Sequence, residues 1–422
     1  MTDKKTTVMV LSDHPLSPSG VGTQTKYFIE AMLKTGKYRF ICFGGAVKHE
    51  DYNPVKVDPY GDDWVIFPVD GYGTPDAVRS CIAMNKPDIL WMMTDPRFYT
   101  WLWEIENEIR AAVPIVYYHV WDNYPYPDFN KPWYDSNDTV VTISKVTSDI
   151  VRTVSPQVEE HYIPHAVDMN TFRKVDDVTV DNFRKDAFGP TQHVEGKMLF
   201  FWNNRNARRK QSGSLIFWFK KFLDNVGRDK AVLLMHTDPR DPHGQDLVRI
   251  LDYLGLTNGE VMLSTTKLPP EHLAAIYNMA DCTINISDAE GFGLATFESL
   301  SCETPIIVNM TGGLQEQVTD GINWFGIGID PTSKAIIGSQ EVPYIYEDRI
   351  SEEAFVGALT KFYNLSPQER ALMGKLGRKH LHDKYSMENF ATKWDKVLTN
   401  VVQTCGSWDT RKNYQSWELK EV

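Results

Sequence analysis

Two carboxylates eight positions apart, Glu290 and Glu298, frame a glycine turn in the stretch SDAEGFGLATFESLSCETPIIVNMTGG, residues 287–313. Glu290 follows a strand-like run directly. Gly291, Phe292, Gly293 and Leu294 come next, then a helical stretch carrying Thr296 and Glu298. The N–H groups of such a turn and of a helix start can meet phosphate or sugar oxygens. A carboxylate at 290 can accept hydrogen bonds from hydroxyls, and Glu298 can reach a ribose diol from the helix. Each acid alone also fits simple stabilisation of a helix N-terminus, which favours negative charge. A second constellation is WNNRNARRKQSG (202–213), where Arg205 and Lys210 flank a turn with Arg208 and Arg209 between them. Cations at a strand's carboxyl end can clamp a diphosphate; taken alone, the cluster reads equally as a solvated surface turn. A third is SDHPLSPSGVGTQTKYF (12–28), in which Gly20 and Gly22 allow close backbone approach. Thr25 stands where a dinucleotide fingerprint needs its third glycine, which weakens a dehydrogenase reading and leaves a plain tight turn as the alternative.

These residues need strands that end where they begin. TTVMVLSD (6–13), YRFICFGG (38–45), PDILWMMTD (87–95), AVPIVYYHVWD (112–122) and DTVVTISK (138–145) read as strands, with helical spacing between them, as in GTQTKYFIEAMLKTG (22–36). A polar, proline-bearing segment, 157–196, breaks the rhythm and reads as the exit from a first domain and a linker. A second series follows at 196–206, 230–238, 259–265, 281–288 and 304–313, with helical stretches at 212–226 and 270–280. Continuous apolar strands alternating with helices predict parallel sheets covered on both faces. In open α/β sheets ligands bind at the carboxyl ends of the strands, which is where all three constellations fall. The expected fold class is α/β, two tandem doubly wound domains.

The whole-chain properties set bounds. A length of 422 residues suggests two domains, and 42% hydrophobic residues with 12 Trp fit a large core. A net charge of −12 argues against a broad electrostatic grip on nucleic acid or anionic membrane. The five cysteines are scattered without a C-x-x-C pair, so neither a zinc site nor a disulfide framework is expected. The N-terminus is too polar for a signal peptide, and no apolar run of spanning length occurs, so a cytoplasmic protein is expected (host cytoplasm if the chain is viral). The loop VWDNYPYPDFNKPWYDSND (120–138) is crowded with rings and prolines and reads either as an acceptor wall or as a surface loop pinned by its own rings.

Taken together, Glu-x7-Glu with EGFGLATFES and TPIIVNMTGGLQEQV resembles the family-4 (group 1) retaining glycosyltransferases of GT-B fold. NRNARRK is similar to that family's Arg-x4-Lys clamp, here Arg205 and Lys210. YIPHAVDMNTF (162–172) resembles its interdomain segment, with Ala166 where glycine is usual. KLPPEHLAAIYNMADCTINIS (267–287) resembles the base-side loop and helix, which brings in Lys267. YSMENFATKWDKVL (385–398) resembles the last helix, which crosses back to the first domain. Departures are Ala295 for a common proline, FWNNRN in place of the usual approach to the clamp arginine, and a longer connection at 321–351.

The resemblance implies an interdomain cleft and these domains: 1–170 on the acceptor side, a linker 171–195, a nucleotide-sugar domain 196–384, and a crossover helix and tail 385–422. It implies that Glu298 binds the ribose and Glu290 the sugar hydroxyls. The Gly291–Leu294 backbone lines sugar and phosphates with Thr296 and Lys267, and Gly20 and Gly22 face the phosphates. Arg205 and Lys210 neutralise the diphosphate. His119, at the end of IVYYHVWD, matches the family's histidine beside the donor sugar; a structural histidine is the alternative. The expected reaction is metal-independent transfer of a hexose with retention, from a nucleotide sugar such as a UDP-sugar, with no cofactor and no metal. The expected acceptor is a hydroxyl of a carbohydrate or small molecule. Residues 1–190 hold 19 Lys and Arg against 27 Asp and Glu, which disfavours an anionic acceptor surface. A viral-type enzyme acting on hydroxymethylated bases in DNA, and a non-catalytic GT-B-like binding protein, are the alternatives.

Overall fold

The structure, a computed structural model, describes residues 4–189 and 194–417. The chain divides into two compact units: one runs to Ala166 and takes in Gln340–Val342 and the chain from Met387; the other comprises Val167–Ser339 and Pro343–Ser386.

The first unit holds β1 (Thr6–Asp13), β2 (Tyr38–Gly45), β3 (Val55–Val57), β4 (Gly61–Pro68), β5 (Ile89–Met93), β6 (Ile115–His119), β7 (Thr139–Thr142) and β8 (Glu159–Tyr162). They form one sheet in the order β3-β4-β2-β1-β5-β6-β7-β8, parallel except for β3, which runs antiparallel to β4 at the edge. Val8–Leu11 of β1 and Ile89–Met93 of β5 are buried, as strands covered on both faces must be. The pair β3–β4 was not among the expected strands; its burial alternates, so it lacks the continuous apolar run that marks the central strands. The helix Met387–Cys405 belongs to this unit. Its Trp394 is fully buried, with ring centroids 4.8 Å from Phe28, 5.0 Å from Tyr118 and 5.9 Å from Trp91. The last residues of the expected tail, 418–422, lie outside the described residues.

The second unit holds β9 (Met198–Asn203), β10 (Ala231–His236), β11 (Val261–Ser264), β12 (Cys282–Asn285), β13 (Ile306–Asn309) and β14 (Gly326–Ile329) in an all-parallel sheet, order β11-β10-β9-β12-β13-β14. A separate antiparallel hairpin, β15 (Ser333–Ile337) with β16 (Ile345–Arg349), occupies the long connection noted at 321–351. The helix Ser212–Val226 lays Leu215, Ile216, Phe219, Phe222 and Leu223 on the sheet, an i, i+3, i+4 stripe. The order reverses at β9, whose neighbours are β10 on one side and β12 on the other. That is the topological switch point, where the loops leaving adjacent strands part and open a crevice.

Of residues 171–195, expected as a linker, the described ones fold with the second unit instead. The helix Asp177–Phe188 starts on an Asp176 cap that accepts from Thr179 N. The helix Pro270–Met279 holds the segment: Asn278 Nδ2 donates to Arg173 O (2.8 Å), Asn278 Oδ1 accepts from Val175 N (3.0 Å), and Arg184 donates to Met279 O (2.7 Å). These contacts are polar, so the segment's composition concealed them. Residues 190–193 of that expected linker lie outside the described residues. No helix among the described residues is long and apolar enough to cross a membrane.

If Trp394 anchors the C-terminal helix to the first unit, Trp394→Ala should destabilise that unit by about 3–5 kcal/mol in urea denaturation. A change within about 0.5 kcal/mol, typical of surface sites, would mean that the helix does not depend on this ring.

Candidate active site

The switch point brings together the loops leaving β9 and β12. After Asn203 the chain enters a short 3-10 turn, Arg208–Lys210, and passes Gln211 at φ +57° into the helix Ser212–Val226. After Asn285 it runs through Ser287–Gly293 into the helix Leu294–Ser301. Asp288 N donates to Arg209 O at 2.8 Å and stitches the loops together. Arg209 in turn donates to Ala289 O. Lys210 and Glu290, eighty positions apart in sequence, form a direct ion pair; their side chains retain 10% and 11% of their exposure.

Glu290 Oε2 also accepts from Asn285 Nδ2 at 3.2 Å and Ser287 Oγ at 3.4 Å, and Arg209 approaches to 4.0 Å. Burial pushes the Glu290 carboxyl up, but the Lys210 and Arg209 charges, with hydrogen bonds from Lys210 and Asn285, outweigh it and hold it at about 2. Glu290 is therefore an ionised acceptor at neutral pH.

The glycines after β13 are required by that loop. A Cβ at Gly312 (φ +48°) would collide with Glu290 O, and one at Gly313 would lie 2.7 Å from Gly291 O. Gly313 N donates to Glu290 O at 3.0 Å. The turn's carbonyls face protein: Gln317 Nε2 donates to Phe292 O (2.6 Å) and Thr296 Oγ1 to Gly293 O (2.9 Å). The helix from Leu294 has Gly293 (φ +91°) at its cap and no side-chain cap hydrogen bond. Its first N–H groups thus lack the usual side-chain acceptor, and an anion can supply one.

Glu298 lies four residues into this helix, in a different environment. Tyr277 Oη donates to Glu298 Oε2 at 2.9 Å, and Asn203 Nδ2 donates to the same hydroxyl at 2.9 Å. Burial raises the Glu298 carboxyl to about 7, with the Tyr277 hydrogen bond opposing it. One glutamate is fixed as an anion, and the other sits near its midpoint at neutral pH.

The remaining expected residues fall elsewhere. Arg205 is mostly exposed and pairs with Asp241 (2.6 and 3.2 Å) and His243 Nδ1 (2.8 Å) rather than with the Lys210–Glu290 pair. Lys267 is exposed in the loop before the helix Pro270–Met279. Three lie in the first unit. Gly20 and Gly22 open the helix Gly20–Leu33, where Ser19 Oγ caps Gly22 N (2.9 Å) and donates to Asp13 (2.6 Å). A Cβ at Gly22 would stand 2.5 Å from Ser17 Oγ, so this glycine serves the loop's own packing. His119 is buried, with Nε2 2.8 Å from Tyr134 Oη and with Nδ1 unpartnered among the described residues. Burial lowers its pKa to about 3, so it is neutral. In the aromatic loop after β6, Trp121 and Tyr134 are buried while Tyr126 is exposed.

Sequence reasoning missed Asn285, Ser287 and Tyr277 as partners of the two glutamates. Asn285 and Ser287 were legible as polar residues at the end of an apolar strand; Tyr277 was not, because its partner lies 21 positions away on another helix.

Two outcomes test this electrostatic arrangement. Lys210→Met should cost about 3–5 kcal/mol of stability by leaving a buried carboxylate without its cation, and adding Glu290→Gln should recover much of it; additive losses would contradict a coupled pair. Because the Glu298 carboxyl is raised from 4.5 to about 7, its contribution to stability is lost as pH rises through that window. Glu298→Gln, which does not titrate, should therefore gain stability relative to the parent between pH 5 and pH 8 in urea melts; a pH-independent difference would contradict the shift.

Residues 255–380 match the family model described as Glycosyl transferases group 1, a segment that contains both glutamates, β12, β13 and β16. Curated relatives align over a shorter stretch. The D-inositol 3-phosphate glycosyltransferase of Mycobacterium leprae is 38% identical over 79 residues, 18% of this chain and 17% of that protein. That of Mycolicibacterium smegmatis is 38% identical over 80 residues, again 18% and 17%. The matches thus span under a fifth of the relatives' length. Solved structures are similar over nearly the whole chain. Sucrose-phosphate synthase from Thermosynechococcus elongatus has a TM-score of 0.74 at 16% identity, covering 94% of this chain and 100% of its own. The α,α-trehalose 6-phosphate synthase of Burkholderia multivorans gives 0.71 at 12%, covering 95% and 98%. HepE of Anabaena, solved with UDP and glucose, gives 0.69 at 13%, covering 94% and 100%. The chain has the GT-B fold, and the segment built around its paired glutamates, residues 255–380, is similar to the group 1 glycosyltransferases.

Proposed function

We propose that this chain is a retaining glycosyltransferase that moves a sugar from a nucleotide-diphosphate sugar, a UDP-sugar in the first instance, to a hydroxyl of a carbohydrate or other small molecule. The observation that carries the reading is the buried Lys210–Glu290 pair beside Arg209 and a helix N-terminus without a side-chain cap. The cations and the helix amides suit the diphosphate, the ionised Glu290 suits sugar hydroxyls, and Glu298 suits the ribose diol. Lys210 then bridges carboxylate and phosphate, and it balances the charge that grows on the leaving diphosphate as the glycosidic bond breaks. Such stabilisation in a water-poor site is commonly worth about 3–4 kcal/mol per good contact. In the front-face course implied by the family resemblance, the leaving phosphate takes the acceptor's proton. The cationic side chains would do this work without a metal.

The names of similar proteins support the donor and the acceptor class. HepE was solved with UDP-glucose, and the synthase of Burkholderia vietnamiensis is described as UDP-forming. The names D-inositol 3-phosphate, sucrose-phosphate and trehalose 6-phosphate all denote small polyhydroxy compounds.

A thermal-shift panel of UDP-, GDP- and ADP-sugars should show one base that raises the melting temperature, and Glu298→Ala should abolish the rise. With that donor, slow hydrolysis in the absence of acceptor and transfer to a small sugar in its presence are expected. No shift with any nucleotide sugar would overturn the reading, and transfer only to hydroxymethylated duplex DNA would overturn the acceptor class.

A further inference from the structure

The hairpin β15–β16 lies in the segment that departs from the family pattern, and three consecutive residues of β16 between them bind the loops after β9, β12 and β13. Glu347, buried to 2% exposure, accepts both ends of the Arg208 guanidinium at 2.8 and 2.5 Å. Asp348 N donates to Asp288 O at 2.9 Å, its carbonyl accepts from Asn309 Nδ2 at 2.9 Å, and its carboxylate accepts from Thr311 Oγ1 at 2.7 Å. Arg349 donates to Glu347 at 2.6 Å and stands 3.3 Å from the Asp288 carboxylate, which also accepts from Gln211 Nε2 at 2.5 Å.

The placement of these contacts gives them meaning. Arg208 precedes Lys210 by two residues, Asp288 precedes Glu290 by two, and Thr311 adjoins the Gly312 that abuts Glu290 O. Arg208, Glu347, Arg349 and Asp288 form a chain of alternating cations and anions. Arg208 is thereby withdrawn from the basic run 208–210, and only Arg209 and Lys210 are left to Glu290. A bidentate arginine–carboxylate pair fixes direction as well as distance, so the turn carrying Lys210 has one orientation.

We propose that β16 is a brace for the diphosphate clamp: Glu347 and Arg349 are positioning residues that hold Arg208 and Asp288 so that Lys210 meets Glu290. The proposal rests on the function given above for that pair. It assigns the long connection a role in donor phosphate binding, exerted through residues that do not touch the donor.

Two measurements decide it. The first needs no donor: a double-mutant cycle on folding stability between Glu347→Gln and Lys210→Met, residues with no direct bond. A brace predicts that the effects on the unfolding constant miss additivity by about fivefold or more; additivity overturns the proposal. The second is calorimetric binding of UDP, with UMP as the ligand that lacks the second phosphate. Glu347→Gln and Arg349→Lys should weaken UDP about tenfold and leave UMP within twofold. The pair Arg208→Gln with Glu347→Gln, which removes the same contact from both sides, should weaken UDP no further than Glu347→Gln alone. Equal weakening of both nucleotides, or additive losses in that pair, indicates a merely structural hairpin and overturns the brace. If the parent binds no nucleoside diphosphate, the function proposed above fails, while the stability cycle still decides whether the hairpin orients Lys210.

Discussion

A lysine and a glutamate that meet inside the second unit set the terms for the rest of that unit. Removing two charges from water costs several kcal/mol per ion unless geometry and hydrogen bonds compensate. Here the compensation is visible: Asn285, Ser287 and Arg209 complete the surroundings of Glu290, and the Gly312–Gly313 backbone closes against it. The pair also requires that β9 and β12 be neighbours, because only adjacent parallel strands deliver loops eighty residues apart to one spot. The sheet order is thus part of the site's electrostatics.

The two glutamates of the motif share a residue type and differ in physics. Glu290 faces cations and stays ionised; Glu298 faces a phenol in a buried setting and holds its proton more tightly. Environments that push like groups apart let one turn offer a fixed negative charge beside an adaptable hydrogen-bonding group.

The basic run shows the same division of labour. Arg205, Arg208, Arg209 and Lys210 are near-equivalents as composition, but each has a separate partner: Asp241, Glu347, the Ala289 carbonyl and Glu290. Buried or aligned carboxylates decide which cation is committed to the scaffold and which is left at the site. The hairpin β15–β16 enters this allocation through Glu347 and Arg349, which gives a segment outside the sheet a hold on the sheet's functional end.

By itself the sequence determined the alternation of apolar runs, and with it two doubly wound units, because a strand covered on both faces must be apolar along its length. It also located the Glu290 turn, since glycines at 293 and 312–313 are demanded by positive φ or by backbone contact. It could not mark β4, whose burial alternates, nor show that residues 173–184 join the second unit through polar contacts to Asn278 and Met279. Only the tertiary structure decided which carboxylate each cation meets, that Arg205 turns to Asp241, that His119 is enclosed, and that Glu347 reaches Arg208 across 139 positions. The reason is physical: backbone pattern is written locally in hydrophobicity and chirality, whereas the state of a charge depends on what the fold brings to within a few ångströms.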